Sequence, residues 1–313
     1  MFTAFCVMKR FKTTALVLSL FSVSFAFAEV SITDSAISKD PSRATYNDVR
    51  TFMKELVDKY PTNVKPFILG DSDSGQKIEG LQIGNGPVKS LVVASHHGNE
   101  YTSVETARGV ALSLAENPIK DHTVYVVPVL NIAGYNSKSR RENARGKSWD
   151  PNRNYPGACG TEGPFTLKST QALAKFVDEQ GIVASATLHT FSPAVVYPWG
   201  ISTHDLSTPY DDLFKTLVEA ATIDSHYPHG NSTALIYAAD GTYEDYAFLK
   251  HGIWSLLYEL GYSHSPNLSS VRETVKVNVP GIRRALEASP SQRAQDHDFK
   301  GKCDKSVRLR ALE

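Results

Sequence analysis

Cysteine, methionine and tryptophan are scarce in this chain of 313 residues, with three of each. Cys6 falls in an N-terminal stretch that reads as a leader, so Cys159 and Cys303 are what remains. Two cysteines are too few for a thiolate zinc site or a disulfide-stapled scaffold, and stability has to come from a packed core. Charge of one sign is lacking too. The 33 Lys and Arg balance 33 Asp and Glu, so no global field favours nucleic acid or anionic membrane. After the leader no apolar run approaches the about 20 residues that span a bilayer. No Gly-x-Ser-x-Gly elbow occurs, which disfavours a serine hydrolase. Internal repeats and low-complexity tracts are also missing. With 41% hydrophobic and 21% charged residues, the chain has material for one large α/β domain or two small ones.

The N-terminus has the layout of an export signal over residues 1–28. Lys9, Arg10 and Lys12 are basic, Ala15 to Phe25 are apolar, and Ala26-Phe27-Ala28 forms a small-x-small cleavage site. The mature chain would start at Glu29 and be periplasmic or secreted, without a stable membrane span. The alternative is a retained N-terminal anchor. An exported compartment permits Cys159 and Cys303 to pair, and two unpaired thiols are the other possibility.

Along the chain, Thr45 opens a helical pattern that runs to Tyr60 and stops at Pro61. Lys65 to Leu69 and Ile78 to Ile83 read as a hairpin, and Leu91 to Ala94 as a buried strand. A helix over about 102–115 precedes a strand over 124–130. The polar, Arg-rich stretch 131–165 shows neither period, and a loop of that length is usually functional. Then come a helix over about 169–180, strands over 182–188 and 195–197, helices over about 210–221 and 242–250, a strand over 253–258, and a helix over 271–288 that Pro280 should break. Strands and helices alternate, so the fold class expected is α/β: a single domain with a mixed parallel and antiparallel sheet flanked by helices. Residues 289–313 read as a polar, peripheral tail.

His97, His189 and Glu259 each follow a predicted strand. Ionisable residues at strand ends from distant parts of a chain converge on one edge of a sheet, where open α/β folds bind ligands. His97, Glu100 and His189 make a two-imidazole, one-carboxylate set suited to one zinc ion per chain with a position open to water. Glu259 is then free to act as a general base.

With these motifs in this order, residues 46–288 resemble the zinc carboxypeptidases of peptidase family M14. His97-Gly98-Asn99-Glu100 resembles the first zinc motif, and His189-Thr190-Phe191-Ser192 the segment of the second zinc histidine. Tyr197-Pro198-Trp199, Arg141-Glu142-Asn143, Asp150-Pro151-Asn152-Arg153-Asn154 and Leu257-Tyr258-Glu259-Leu260 follow the family's order. The resemblance implies a catalytic domain over 29–288 that hydrolyses the C-terminal peptide bond of peptides. It makes Glu259 the general base for the attacking water and Arg141 the stabiliser of the developing oxyanion. Asn152 and Arg153 would take the substrate's free carboxylate, Tyr237 would cap it, and Asp150 would fix the His97 tautomer. Glu244 falls at the base of the side-chain pocket, where an acid favours a C-terminal Lys, Arg or diaminopimelate and hence a peptide or muropeptide partner; alternatively it caps the helix starting at Thr242 and faces solvent. A zinc amidase or deacylase acting on acyl-amino acids and a non-catalytic binding module are the competing functions.

Overall fold

The computed structural model describes residues 36–204 and 206–304. The expected export signal lies outside them, as does the chain beyond Asp304. Helix α1 (Tyr46–Lys59) begins where Asp48 Oδ2 accepts hydrogen bonds from the backbone N–H and the hydroxyl of Thr45, each at 2.7 Å. It buries Tyr46, Val49, Phe52, Met53 and Leu56, the stripe that a 3.6-residue period selects. Strands β1 (Val64–Asp71) and β2 (Lys77–Gly84) form the expected antiparallel hairpin. Next come β3 (Val88–Ala94), α2 (Tyr101–Glu116) and β4 (His122–Val127).

The stretch without periodicity contains short elements: α3 (Ile132–Ser137), a hairpin of β5 (Glu142–Ala144) and β6 (Lys147–Trp149), and a 3-10 turn at Pro151–Arg153. They are followed by α4 (Lys168–Glu179), β7 (Ala184–His189), β8 (Ala194–Tyr197), α5 (Asp211–Thr222), β9 (His229–Asn231), α6 (Ser232–Leu235), α7 (Tyr243–His251), β10 (Trp254–Glu259) and α8 (Leu268–Ala288).

Eight strands form one sheet in the order β1-β2-β4-β3-β7-β10-β8-β9. The middle four, β4, β3, β7 and β10, run parallel, while β2 and β8 join them antiparallel on either side. This is the mixed sheet expected from the sequence. The parallel strands are buried almost throughout, which is why they read as continuous apolar runs and not as alternating ones. Parallel pairing also brings the carboxyl ends of β3, β7 and β10 to one edge, with Ala94 opposite Leu188 and His189 opposite Glu259.

Pro280 does not break the last helix, contrary to expectation. α8 is continuous through it, with Val279 and Ile282 buried on either side against the body. The carbonyl that loses its partner belongs to the exposed Lys276, where water can satisfy it. Beyond α8 the chain folds back. Trp254 Nε1 donates to the Gln292 carbonyl at 2.8 Å, Arg293 donates to the carbonyls of Val177 and Ile182 at 2.7 Å, and Ala294 is buried.

Candidate metal centre

The chain leaves β3 through Ser95, whose φ of 58° turns it out of the strand. Asn131 then fixes the turn: its backbone N–H donates to the Ser95 carbonyl at 2.9 Å and its side chain to the His96 carbonyl at 3.2 Å. Gly98 is required by close packing. An added Cβ would lie 1.9 Å from the Gly134 carbonyl carbon of α3. The turn closes with Glu100 N–H on the His97 carbonyl, 3.2 Å, and Glu100 becomes the N-cap of α2. His97 and Glu100 are thereby held side by side, while β7 delivers His189 as its last residue.

The three side chains are buried and meet. His97 Nδ1 is 2.8 Å from Glu100 Oε1, and His189 Nδ1 is 3.1 Å from Glu100 Oε2 and 3.3 Å from His97 Nδ1. Donor atoms from all three lie within 4.8 Å of one another. In a tetrahedral zinc site with bonds of about 2.0–2.1 Å, ligand atoms stand about 3.3 Å apart, so the donor set and its spacing fit that ion. Each of the two ring nitrogens also faces a Glu100 oxygen, so all three side chains present their donor atoms to one small space that a single cation could share. Asp150 Oδ1 takes the far side of His97, 2.9 Å from Nε2, and leaves Nδ1 to face the cluster.

Charge is tightly arranged here. Burial disfavours a charged His97, but Glu100 and Asp150 outweigh it and lift the imidazole to about 9. Despite burial, His97 and His189 hold the Glu100 carboxyl well below the usual carboxylate range. Asp150, half-buried, is held low by His97, Arg153 and Arg140 against the burial that would raise it. Glu259 goes the other way: burial and the neighbouring Glu100 charge push it well above its ordinary value. It ends β10 opposite His189, and its Oε2 is buried with no hydrogen-bond partner, an acceptor left free beside the cluster.

The arginine at the cluster is Arg140, and this corrects the expectation of Arg141. Arg140 donates to Asp150 Oδ2 from Nε at 3.0 Å and from a terminal nitrogen at 2.9 Å, and comes within 3.7 Å of Glu100. Arg141 is exposed and donates to the Ser148 carbonyl at 3.3 Å. The reason is strand alternation: Glu142 and Ala144 of β5 point inward, so Arg141 and Asn143 point out.

Asn152 and Arg153 lie beside the cluster. Asn152 is buried, with Nδ2 3.4 Å from both His189 Nε2 and Glu244 Oε2, and its Oδ1 accepts from the Tyr243 N–H at 2.8 Å. Arg153 donates to the Tyr237 hydroxyl at 3.0 Å, with its guanidinium 5.7 Å from that ring's centroid. Glu244 does not cap a helix into solvent. Thr242 Oγ1 accepts from the Asp245 N–H, while Glu244 is buried, accepts from the Thr187 hydroxyl and lies 3.9 Å from His189 Nε2. Glu244 and Asp245 line a small cavity with Val196, Gly200, Ser232 and Leu257. Cys159 and Cys303 form a disulfide. His96 points away from the cluster to the Tyr155 hydroxyl, 3.0 Å, and stacks on His189. Its partner Tyr155 had no signal in the sequence beyond being an aromatic near the loop.

Fold and site together define an open α/β protein with a His-Glu-His metal centre at the carboxyl edge of its parallel strands. The chain belongs to the zinc carboxypeptidase family, peptidase family M14, whose sequence pattern matches residues 49–280. It is 21% identical to mouse carboxypeptidase D over 267 residues, which is 71% of this chain but only 19% of that protein's length. Bovine thrombin-activatable fibrinolysis inhibitor, solved with tick carboxypeptidase inhibitor, superposes with a TM-score of 0.70 at 19% identity, covering 79% of this chain and 97% of that one. The murein-tripeptide amidase of Escherichia coli O157 superposes at 0.52 with 18% identity, over 74% and 94%.

Proposed function

We propose that the protein is a zinc-dependent metallocarboxypeptidase that removes the C-terminal residue of peptides bearing a free carboxylate. The observation that carries this is the Arg153–Tyr237 pair, a cation and a hydroxyl 3.0 Å apart beside the metal cluster, backed by buried Asn152. Arg153 would bind the terminal carboxylate through its planar fork, with Tyr237 closing over it. Bound zinc, held by His97, Glu100 and His189, supplies Lewis-acid polarisation of the scissile carbonyl and a more acidic attacking water. Glu259 Oε2 accepts the water's proton and returns it to the leaving amine, a task suited to a carboxylate whose affinity for protons burial has raised. Arg140, which reaches toward Glu100, stabilises negative charge developing on the carbonyl oxygen.

The terminal residue would be basic or a diamino acid, including the diaminopimelate of peptidoglycan stem peptides. Two buried carboxyl groups, Glu244 and Asp245, line the small cavity next to Asn152, and a cationic terminal side chain directed at that wall of the site would be drawn toward them. Similarity of fold to a murein-tripeptide amidase is consistent with a wall substrate. The leader over 1–28 would place the mature enzyme in the periplasm or outside the cell.

The test is mass-spectrometric product analysis of the zinc-loaded protein with peptides ending in Lys, Arg, Phe or Glu, their C-terminal amides, and muropeptides. Loss of one residue from free-carboxylate substrates, abolished by chelator and by Glu259→Gln with zinc retained, is expected. Equal cleavage of amides, or turnover by the Gln variant, would overturn the assignment. Preference for Phe would remove Glu244 from its role.

A further inference from the structure

The carboxylate clamp of Arg153 and Tyr237 stands on loops, and its contact with the sheet is Ile236, which packs on Ala194, Val196 and Leu257. Arg153 ends a 3-10 turn, and Tyr237 lies in the segment between α6 and α7 with half its surface exposed. On the far side of Tyr237 from Ile236, the segment is held by contacts at Ala239, Asp240 and Gly241, and these divide into two arms.

One arm runs through the loop that follows Arg153. Asp240 Oδ2 accepts from the Thr161 hydroxyl at 3.0 Å, and Thr161 Oγ1 in turn accepts from the Gly157 N–H at 2.9 Å. The Asp240 carboxylate is pressed so closely on Gly157 that an added Cβ there would come within 1.7 Å of Oδ1. Tyr155 N–H donates to the Gly241 carbonyl at 3.1 Å, which closes the same loop against the segment. In the middle of this loop is Cys159, disulfide-bonded to Cys303.

The second arm runs through the segment after β8. Ala239 N–H donates to the Gly200 carbonyl at 2.6 Å. Two residues on, the Ser202 hydroxyl donates to the Lys302 carbonyl. Thr203 donates from its backbone N–H at 2.7 Å and its hydroxyl at 2.8 Å to the carboxylate of Asp304, which His204 also approaches at 3.4 Å. Both arms therefore end in three consecutive residues of the C-terminal segment, Lys302, Cys303 and Asp304.

We propose that Cys303 and Asp304 form a clasp that positions the clamp: the disulfide holds the Arg153 loop, the carboxylate holds residues 202–203, and between them they set where Tyr237 stands relative to Arg153. The proposal rests on Arg153 and Tyr237 being the carboxylate clamp. Cys159, Asp240, Cys303 and Asp304 are positioning residues and touch none of the reacting groups. The clasp thus acts on substrate binding and leaves the metal, Glu259 and Arg140 in place.

The experiment compares the full-length, zinc-loaded protein with three variants: Cys159→Ser with Cys303→Ser, Asp304→Asn, and Arg153→Ala. Each is assayed on a Lys-terminated peptide well below its own unfolding temperature. In parallel, a Glu259→Gln background is titrated with the same peptide and its C-terminal amide. The clasp variants should raise KM, and weaken binding of the free acid but not the amide, by about tenfold, the scale of a small misplacement remote from the chemistry. Their kcat and zinc content should stay at the parent's values. Asp304→Asn keeps the disulfide, so it reports on the clasp even if the serine pair folds poorly. If Arg153→Ala raises KM and the clasp variants do not, the clasp is structural only and the proposal falls. If Arg153→Ala itself leaves both KM and free-acid binding unchanged, the clamp assignment fails first and takes the clasp with it.

Discussion

Glu142 should make the protein less stable as pH rises from acid to neutral, and Glu142→Gln should remove that dependence. The side chain is wholly buried on β5. Oε2 accepts from the Ser169 hydroxyl at 2.6 Å, and Oε1 has no partner. Burial, with the nearby Asp73 charge, raises its carboxyl from 4.5 to about 7, the Ser169 bond offsetting only part of this. Below the unfolded value both states are protonated and the group contributes nothing to the pH dependence. Between about 4.5 and 7 the unfolded chain has released its proton and the folded one has not, so stability falls with pH until the folded group also ionises. Roughly 2.5 units at 1.36 kcal/mol each gives a loss of about 3 kcal/mol. A glutamine keeps the shape and the Ser169 contact and carries no charge. Urea unfolding of parent and variant, both with chelator so that acid release of metal does not intrude, would be measured at pH 4.5 and pH 8. The variant should gain about 3 kcal/mol on the parent between the two pH values. A gain under about 1 kcal/mol would mean that water or a partner solvates Glu142 in the folded state, and that its burial does not control its ionisation.

Two other substitutions test the centre itself. Arg140→Ala should lower kcat/KM by about two to three orders of magnitude while Arg141→Ala stays near the parent, since only the first reaches the site; the opposite order would show that the loop before β5 presents its other face in solution. Asp150→Asn should weaken zinc binding by about 10- to 100-fold in a chelator competition, because the carboxylate that orients His97 and holds Arg140 would be lost. Unchanged affinity would mean that Glu100 and the packing around His97 orient the ring unaided.

The metal set was legible in the sequence because of where it sits. Parallel strands buried on both faces give unbroken apolar runs, so their ends are visible, and His189 and Glu259 adjoin those ends directly. His97 is three residues past Ala94, and the intervening turn was readable from the end of the same apolar run. Arg140 was not legible. Two adjacent arginines differ only in which face of a three-residue strand follows them, and β5 is too short to show a period. Pro280 misled for a related reason: local propensity argues for a break, whereas the decision belongs to Val279 and Ile282 packing on both sides of it. The contacts of Asp240, Thr203 and Asp304 span tens to a hundred residues of chain and leave no local pattern at all.

This difference in legibility follows a division within the site. The ligands and Glu259 are attached to the ends of the most buried strands or to the turn packed on α3, where a shift of one group would disturb the core of the sheet. Arg153, Tyr237 and Asp240 hang on loops held by hydrogen bonds to other loops, by one disulfide and by Ile236 packing on the sheet. Glu244 and Asn152 are where the two parts touch. Asn152 Nδ2 lies 3.4 Å from both the zinc-side His189 and Glu244 Oε2. A cation approaching Glu244 would therefore draw on the same carboxylate that now accepts from Thr187 and faces Asn152, and would compete with the Asn152 amide for it. Recognition of the terminal side chain and of the terminal carboxylate would then be coupled through one amide, so that removing the Glu244 charge by Glu244→Gln should weaken the preference for Lys over Phe without a matching loss of zinc.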